Sequence, residues 1–166
     1  MNRRTDHPMA QPPGGSLPSR PVYILFVCYG NAARSQMAEA LANHLGKEKV
    51  RAFSAGSHPL GTILPETYEA LAEEGITLDG HWSKGIEEVP VGEMDVVVGM
   101  GCEVTCPVPV GFKGRAIEWN IPDPYGRDRE FFRSVRDLIE RQVRALLADL
   151  ERQRTQPPPP NPASRG

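Results

Sequence analysis

The most constraining feature of this chain is an apolar segment that leads directly into a short polar loop and then into a helix. Residues 22–27 form an almost unbroken apolar run, as expected for a parallel strand covered on both faces. Beyond the loop, Met37, Leu41 and Leu45 recur at helical spacing, and Gly46 supplies a stop signal. Residues 28–35 are therefore predicted to be a tight turn between a strand end and a helix start.

Such a turn directs several successive backbone N–H groups toward one point, and the helix dipole adds partial positive charge behind them. Cys28 opens the turn, and Arg34 follows six positions later. The positive electrostatic field of the N–H groups and the helix dipole favours the ionised, nucleophilic form of the Cys28 thiol. The planar guanidinium of Arg34 can bind two oxygens of a phosphate-shaped anion. The pattern predicts an oxyanion site made by Cys28 together with Tyr29, Gly30, Asn31, Ala32, Ala33, Arg34 and Ser35.

Two details of the loop lead to further expectations. The hydroxyl of Ser35 is expected to donate a hydrogen bond to the thiolate. Gly30 and Asn31 are residue types that accept positive φ angles, and a loop wrapped around an anion usually needs one or two such positions.

The length and charge of the chain narrow the possible functions. With 166 residues the chain corresponds to one domain, and its net charge of -2 gives no basic excess for binding nucleic acid or an anionic membrane. We expect a cytoplasmic location, because no apolar stretch has the roughly 20 residues of a membrane span and no secretory segment is visible. Residues 21–153 are predicted to form the domain, flanked by disordered proline-rich extensions at 1–20 and 154–166.

Strand and helix patterns alternate through the domain. Further strands are expected at 50–54, 95–100 and 115–119, and helices at 64–74 and from 129 to about 153, with Asp128 as the N-cap of the last. This order predicts an α/β fold of three layers, with a four-stranded parallel sheet and helices on both faces. Because ligands gather beyond the carboxyl ends of parallel strands, Cys28, Cys102 and the segment after Trp119 should converge on one edge.

Two further cysteines, Cys102 and Cys106, follow the third predicted strand and are separated by three residues. In a helix this spacing brings the α carbons within the range that a disulfide tolerates, and a closing pair in the cytosol indicates catalysis or redox sensing. A zinc site that includes His58 or His81 and a pair of inert buried thiols are the alternatives. We expect no metal and no cofactor, and we interpret both histidines as structural.

Asp123 lies between two prolines in the segment after Trp119. Flanking prolines stiffen a loop, and a rigid loop presents a carboxyl group in one place, as a proton donor requires. Asp123 is therefore the candidate general acid. Tyr125, two residues later, is an aromatic side chain close to it in sequence.

The string at residues 28–39, Cys-Tyr-Gly-Asn-Ala-Ala-Arg-Ser-Gln-Met-Ala-Glu, resembles the phosphate loop shared by low-molecular-weight protein tyrosine phosphatases and the arsenate reductases of the same fold. The phosphatase branch typically has proline after Arg-Ser, whereas Gln36 is found here, as in the reductase branch. The segment at 101–107 resembles the cysteine segment of thiol-coupled reductases, with a shorter gap between its cysteines. The Asp-Pro pair at Asp123 resembles the acid loop of both branches.

The resemblance implies a reaction. Cys28 would form an adduct with arsenate, with Asp123 as the acid, and Cys102 and then Cys106 would carry a disulfide away from it. Thioredoxin or a low-molecular-weight thiol such as mycothiol would restore the pair. Two alternatives remain open: hydrolysis of phosphate monoesters through a phosphocysteine, which the aromatic Tyr125 favours, and a non-catalytic phosphate or phosphotyrosine sensor.

Overall fold

A computed structural model describes residues 20–101 and 108–155. Its four strands form one sheet in the order β2-β1-β3-β4, and every neighbouring pair is parallel. The strands are β1 (Val22–Cys28), β2 (Val50–Gly56), β3 (Val96–Gly99) and β4 (Arg115–Glu118). The predicted α/β class and four-stranded parallel sheet are confirmed.

In the described residues, three α-helices connect and follow the strands: α1 (Arg34–Gly46), α2 (Pro65–Ala72) and α3 (Arg129–Thr155). The backbone N–H of Phe131 donates to Asp128 Oδ1 at 2.9 Å, which confirms the predicted N-cap. Helix α3 ends two residues beyond its predicted end. In the described part of the chain, no helix is both long and apolar enough to cross a membrane.

The central strand β1 is covered on both faces of the sheet. Ile24 and Phe26 are fully buried in the core shared with the three α-helices. Leu25 and Val27 point to the other face of the sheet. In the described residues, Phe112 and two short 3-10 helices, Ile86–Glu88 and Val91–Glu93, pack against this face. The predicted layers on both faces are present, and the second of them is built here from 3-10 turns and loops.

The register of the sheet aligns the ends of three strands. Cys28 at the end of β1 pairs with Gly56 at the end of β2, and Val27 pairs with Gly99 at the end of β3. The loops that leave these strands therefore start from one edge of the sheet, at the N-terminus of α1. This edge carries the candidate site.

Candidate active site

Cys28 is the last residue of β1, and its side chain is buried beside the start of α1. Its Sγ atom receives the backbone N–H of Asn31 at 3.3 Å and lies 3.0 Å from Ser35 Oγ. Asn31 Nδ2 donates to the same serine oxygen at 2.7 Å, which leaves the serine proton available for the sulfur. An ionised thiol at this position would therefore accept two hydrogen bonds.

Asn31 is the centre of the loop that follows Cys28. Its side chain is fully buried, and its φ of 49° makes it the left-handed residue of the loop. Gly30, the second candidate for a positive φ, does not adopt one, and a Cβ there would meet only Leu60 Cβ at 3.8 Å. Asn31 alone provides the unusual torsion, and its amide makes hydrogen bonds that glycine could not.

All the hydrogen-bonding positions of the Asn31 amide are used. Its nitrogen donates to Ser35 Oγ at 2.7 Å and to Ser54 Oγ at 3.0 Å. Its oxygen accepts from Gln36 Nε2 and from the backbone N–H of Lys84, each at 2.9 Å. Three separate segments, on α1, β2 and the chain after α2, therefore fix the conformation of the loop.

Arg34 is the first residue of α1, and its buried guanidinium connects the loop to two other segments. Its Nη1 donates to the carbonyl oxygens of Met100 at 2.9 Å, Gly101 at 2.7 Å and Ile121 at 3.2 Å. Its Nη2 lies 3.5 Å from Asp123 Oδ2. The end of β3 and the segment after β4 thus meet the loop, as expected for parallel strands that end at one edge.

Asp123 lies at the open side of this arrangement. Its side chain is 57% exposed, and its Oδ1 accepts the backbone N–H of Tyr125 at 3.1 Å. Tyr125 itself is 61% exposed. The predicted acid is thus beside the predicted oxyanion-binding arginine and in contact with solvent, from which a carboxyl group can acquire a proton.

Two glycines that were not among the predicted site residues shape the site. A Cβ on Gly56 would lie 2.8 Å from the Tyr29 oxygen and 2.9 Å from the Asn31 nitrogen, so the loop packs directly on this glycine. Gly101 has a φ of +86°, and a Cβ there would lie 2.6 Å from Arg34 Nη1. Both are close approaches between segments distant in sequence, which spacing along the chain does not reveal.

Cys102 and Cys106 lie outside the described residues, so their predicted approach to Cys28 remains a prediction. Cys102 is joined by one peptide bond to Gly101, whose carbonyl accepts from Arg34. The predicted terminal extensions also lie outside the described residues, apart from Arg20 at the start and the last two residues of α3.

The two histidines near the site make structural contacts. The ring of His58 stacks on Tyr29 with centroids 4.6 Å apart, and His81 Nδ1 lies 3.0 Å from Gln36 Oε1. Within residues 20–101 and 108–155, the only group of three potential metal-ligating side chains consists of Asp137 and Glu140 on α3 and Glu74 just after α2, and it includes neither Cys28 nor a histidine.

Comparison with known proteins identifies the family. The family model described as low molecular weight phosphotyrosine protein phosphatase matches residues 23–156. A glutaredoxin arsenate reductase from Synechocystis sp. is 34% identical over 128 residues, which are 76% of this chain and 97% of that protein.

Solved structures of arsenate reductases are also similar to this chain. An arsenate reductase in a phosphate-binding state superposes with a TM-score of 0.70 at 31% identity, covering 78% of this chain and 98% of the other. A thioredoxin-dependent arsenate reductase from Corynebacterium glutamicum superposes with a TM-score of 0.67 at 30% identity, and the match covers 81% of this chain and 64% of the other. This chain belongs to the low molecular weight phosphotyrosine protein phosphatase family. The relatives named above are arsenate reductases, and the predicted resemblance to the reductase branch is confirmed.

Proposed function

We propose that this protein reduces arsenate to arsenite through a thiolate adduct on Cys28 and a disulfide relay through Cys102 and Cys106. One observation supports this most strongly. Arg34, in the loop that begins with the nucleophile, donates to the carbonyls of Met100 and Gly101, which are the two residues that lead into Cys102. A segment anchored to this loop suits a second thiol that must reach the first.

The first step is attack by the Cys28 thiolate on the arsenic atom. An As–S bond forms and an As–O bond breaks, and Asp123 supplies the proton with which the oxygen leaves as water. Backbone carbonyls occupy the Nη1 atom of Arg34. The opposite edge of the guanidinium, formed by Nε and Nη2, would therefore bind two oxygens of the anion. The loop N–H groups hold the remaining charge.

The next steps move two electrons onto arsenic. The thiolate of Cys102 attacks the sulfur of Cys28, a disulfide forms, and the electron pair of the broken As–S bond reduces As(V) to As(III), which leaves as arsenite. Cys106 then attacks Cys102, which releases Cys28 and moves the disulfide to the second pair. An external thiol system in the cytoplasm then reduces that disulfide: thioredoxin, glutaredoxin or a low-molecular-weight thiol such as mycothiol, two molecules of which would be oxidised per disulfide.

Steady-state assays test the proposal. Arsenate should cause oxidation of a coupled reductant, and Cys102→Ser and Cys106→Ser should each abolish this turnover while leaving arsenate binding intact. Parallel assays with thioredoxin, glutaredoxin and mycothiol systems identify the reductant. Undiminished turnover in both variants would contradict the relay.

A second candidate is hydrolysis of phosphate monoesters. The exposed aromatic Tyr125, whose N–H binds the Asp123 carboxylate, favours it, because an aromatic side chain beside the acid can stack on an aryl phosphate. In this reaction water opens a phosphocysteine, so neither Cys102 nor Cys106 is needed. Rapid hydrolysis of an aryl phosphate by wild type and by both serine variants would decide in favour of the phosphatase.

A further inference from the structure

Lys84 is a buried lysine to which the proposed reaction gives no role. Its side chain is only 6% exposed. The ammonium group donates to the Trp82 carbonyl at 3.2 Å, lies 4.6 Å from the centre of the Trp82 ring, and is 4.0 Å from Glu39 Oε1. Its backbone N–H donates to Asn31 Oδ1 at 2.9 Å. The backbone of Lys84 thus contacts the loop that follows Cys28, at Asn31, and its side chain lies near Glu39.

A continuous series of polar contacts joins Glu39 to the nucleophile. Glu39 Oε1 accepts the hydroxyl proton of Ser54 at 2.6 Å, and Ser54 Oγ accepts from Asn31 Nδ2 at 3.0 Å. The other proton of that amide goes to Ser35 Oγ at 2.7 Å, and Ser35 lies 3.0 Å from Cys28 Sγ. A carboxylate can only accept hydrogen bonds, so the Ser54 hydroxyl must donate its proton to Glu39. Its oxygen is then available only as an acceptor for the Asn31 amide. Ser54 thus acts with the Lys84 N–H and Gln36 to set the orientation of the amide.

Other charged groups surround this series of contacts. His81 Nδ1 lies 3.8 Å from Glu39 Oε1, and the carboxylate of Glu88 acts on Lys84 from the 3-10 helix after it. Arg34 and Asp123 face each other at the open side of the site.

Folding stability does not explain a buried ammonium here. Burial lowers the pKa of Lys84, although Glu39 and Glu88 act in the opposite direction. A lysine whose pKa is lower in the folded state destabilises the fold at neutral pH, and this cost falls as the pH rises through the lowered pKa and is gone above the ordinary value of 10.5. The fold thus retains a charge that costs it stability.

We propose that Lys84 and Glu39 are positioning residues for the thiolate. The ammonium holds the Glu39 carboxylate in place, the carboxylate orients Ser54, and Ser54 orients the Asn31 amide so that the Ser35 proton points at Cys28. This deepens the proposed function, because it concerns the same nucleophile. It depends on Cys28 being a reactive thiolate and not on which oxyanion is attacked.

The test is the pH–rate profile for alkylation of Cys28 by iodoacetamide, followed at that residue by peptide mass spectrometry in the full chain. Lys84→Met and Glu39→Gln should each slow alkylation at neutral pH by about fivefold and move the midpoint of the profile to higher pH, because a less stabilised thiolate forms later. The double variant should be no slower than the slower single variant, since both act through one path. The urea midpoint of unfolding of the double variant should also be no lower than that of wild type.

The matched control is Lys49→Met, which removes a lysine from a surface ion pair with Glu151 at 3.0 Å and should leave the profile unchanged. Superimposable profiles for Lys84→Met and wild type would overturn the inference. So would a loss of rate equal at every pH and accompanied by a lower unfolding midpoint, since that indicates a merely structural role. A shifted profile in a protein that does not reduce arsenate would support the inference and contradict the proposed function.

Discussion

Replacing Asn31 with alanine removes the centre of the loop that follows Cys28. The two serine hydroxyls can rotate to new partners, and the Gln36 amide keeps the Trp82 carbonyl at 2.9 Å, but the backbone N–H of Lys84 is fixed in a buried position. Leaving that buried N–H without a partner costs about 1–3 kcal/mol, and holding alanine at a φ of 49° adds about 1 kcal/mol. The expected loss of folding free energy is about 2–4 kcal/mol, a large part of the roughly 5–15 kcal/mol of a typical domain.

The assay has two readouts. Urea unfolding, followed by fluorescence of the buried Trp119, should show a midpoint well below that of wild type, and Cys28 should be alkylated at least tenfold more slowly at neutral pH. The second effect follows because Ser35 loses the donor that directs its proton toward the sulfur.

Asn43→Ala is the matched control. The Asn43 amide binds both backbone groups of Ala52, at 2.9 and 3.2 Å, on β2 and outside the loop. Its removal should lower stability by about 1–3 kcal/mol without slowing alkylation. Alkylation of Asn31→Ala within twofold of wild type would refute the reasoning, as would slowing of equal size in the Asn43 variant.

Two further substitutions test the shape of the loop and the acid. Gly56→Ala should lower kcat/KM for arsenate at least tenfold, because its methyl group would lie 2.8 Å from the Tyr29 oxygen, whereas Gly92→Ala, which has nothing within 4 Å, should match wild type. Equal activity of the two variants would mean that the loop tolerates displacement. Asp123→Asn should lower kcat by about 10²- to 10⁴-fold with little change in arsenate binding. Asp128→Asn, which keeps a side chain able to cap α3, should retain full activity, and a wild-type kcat for Asp123→Asn would exclude it as the acid.

Sequence reasoning succeeded where the pattern is local. The apolar run of β1, the loop and the start of α1 are adjacent in the chain, so residue type and spacing were sufficient to predict a parallel strand that ends in a tight turn before a helix. The N-cap at Asp128 was likewise determined within a few residues.

What could not be predicted depends on contacts between distant segments. The amide of Asn31 binds Ser54 and Lys84, which are 23 and 53 positions away. A serine inside a predicted buried strand was a usable signal, because a buried hydroxyl needs a partner, but nothing in the sequence identifies that partner. The requirement for glycine at Gly56 and Gly101 likewise arises only when the loop and Arg34 are packed against them.

The central claim is that Cys28, Cys102 and Cys106 pass one disulfide along in order. The most direct measurement mixes reduced protein with arsenate in the absence of any other thiol, then counts arsenite and maps disulfides by mass spectrometry. Wild type should form one arsenite per chain and a disulfide between Cys102 and Cys106, Cys106→Ser should stop with Cys28 linked to Cys102, and Cys102→Ser should release no arsenite. Arsenite formed at the wild-type amount by Cys102→Ser, or none formed by wild type, would contradict the account.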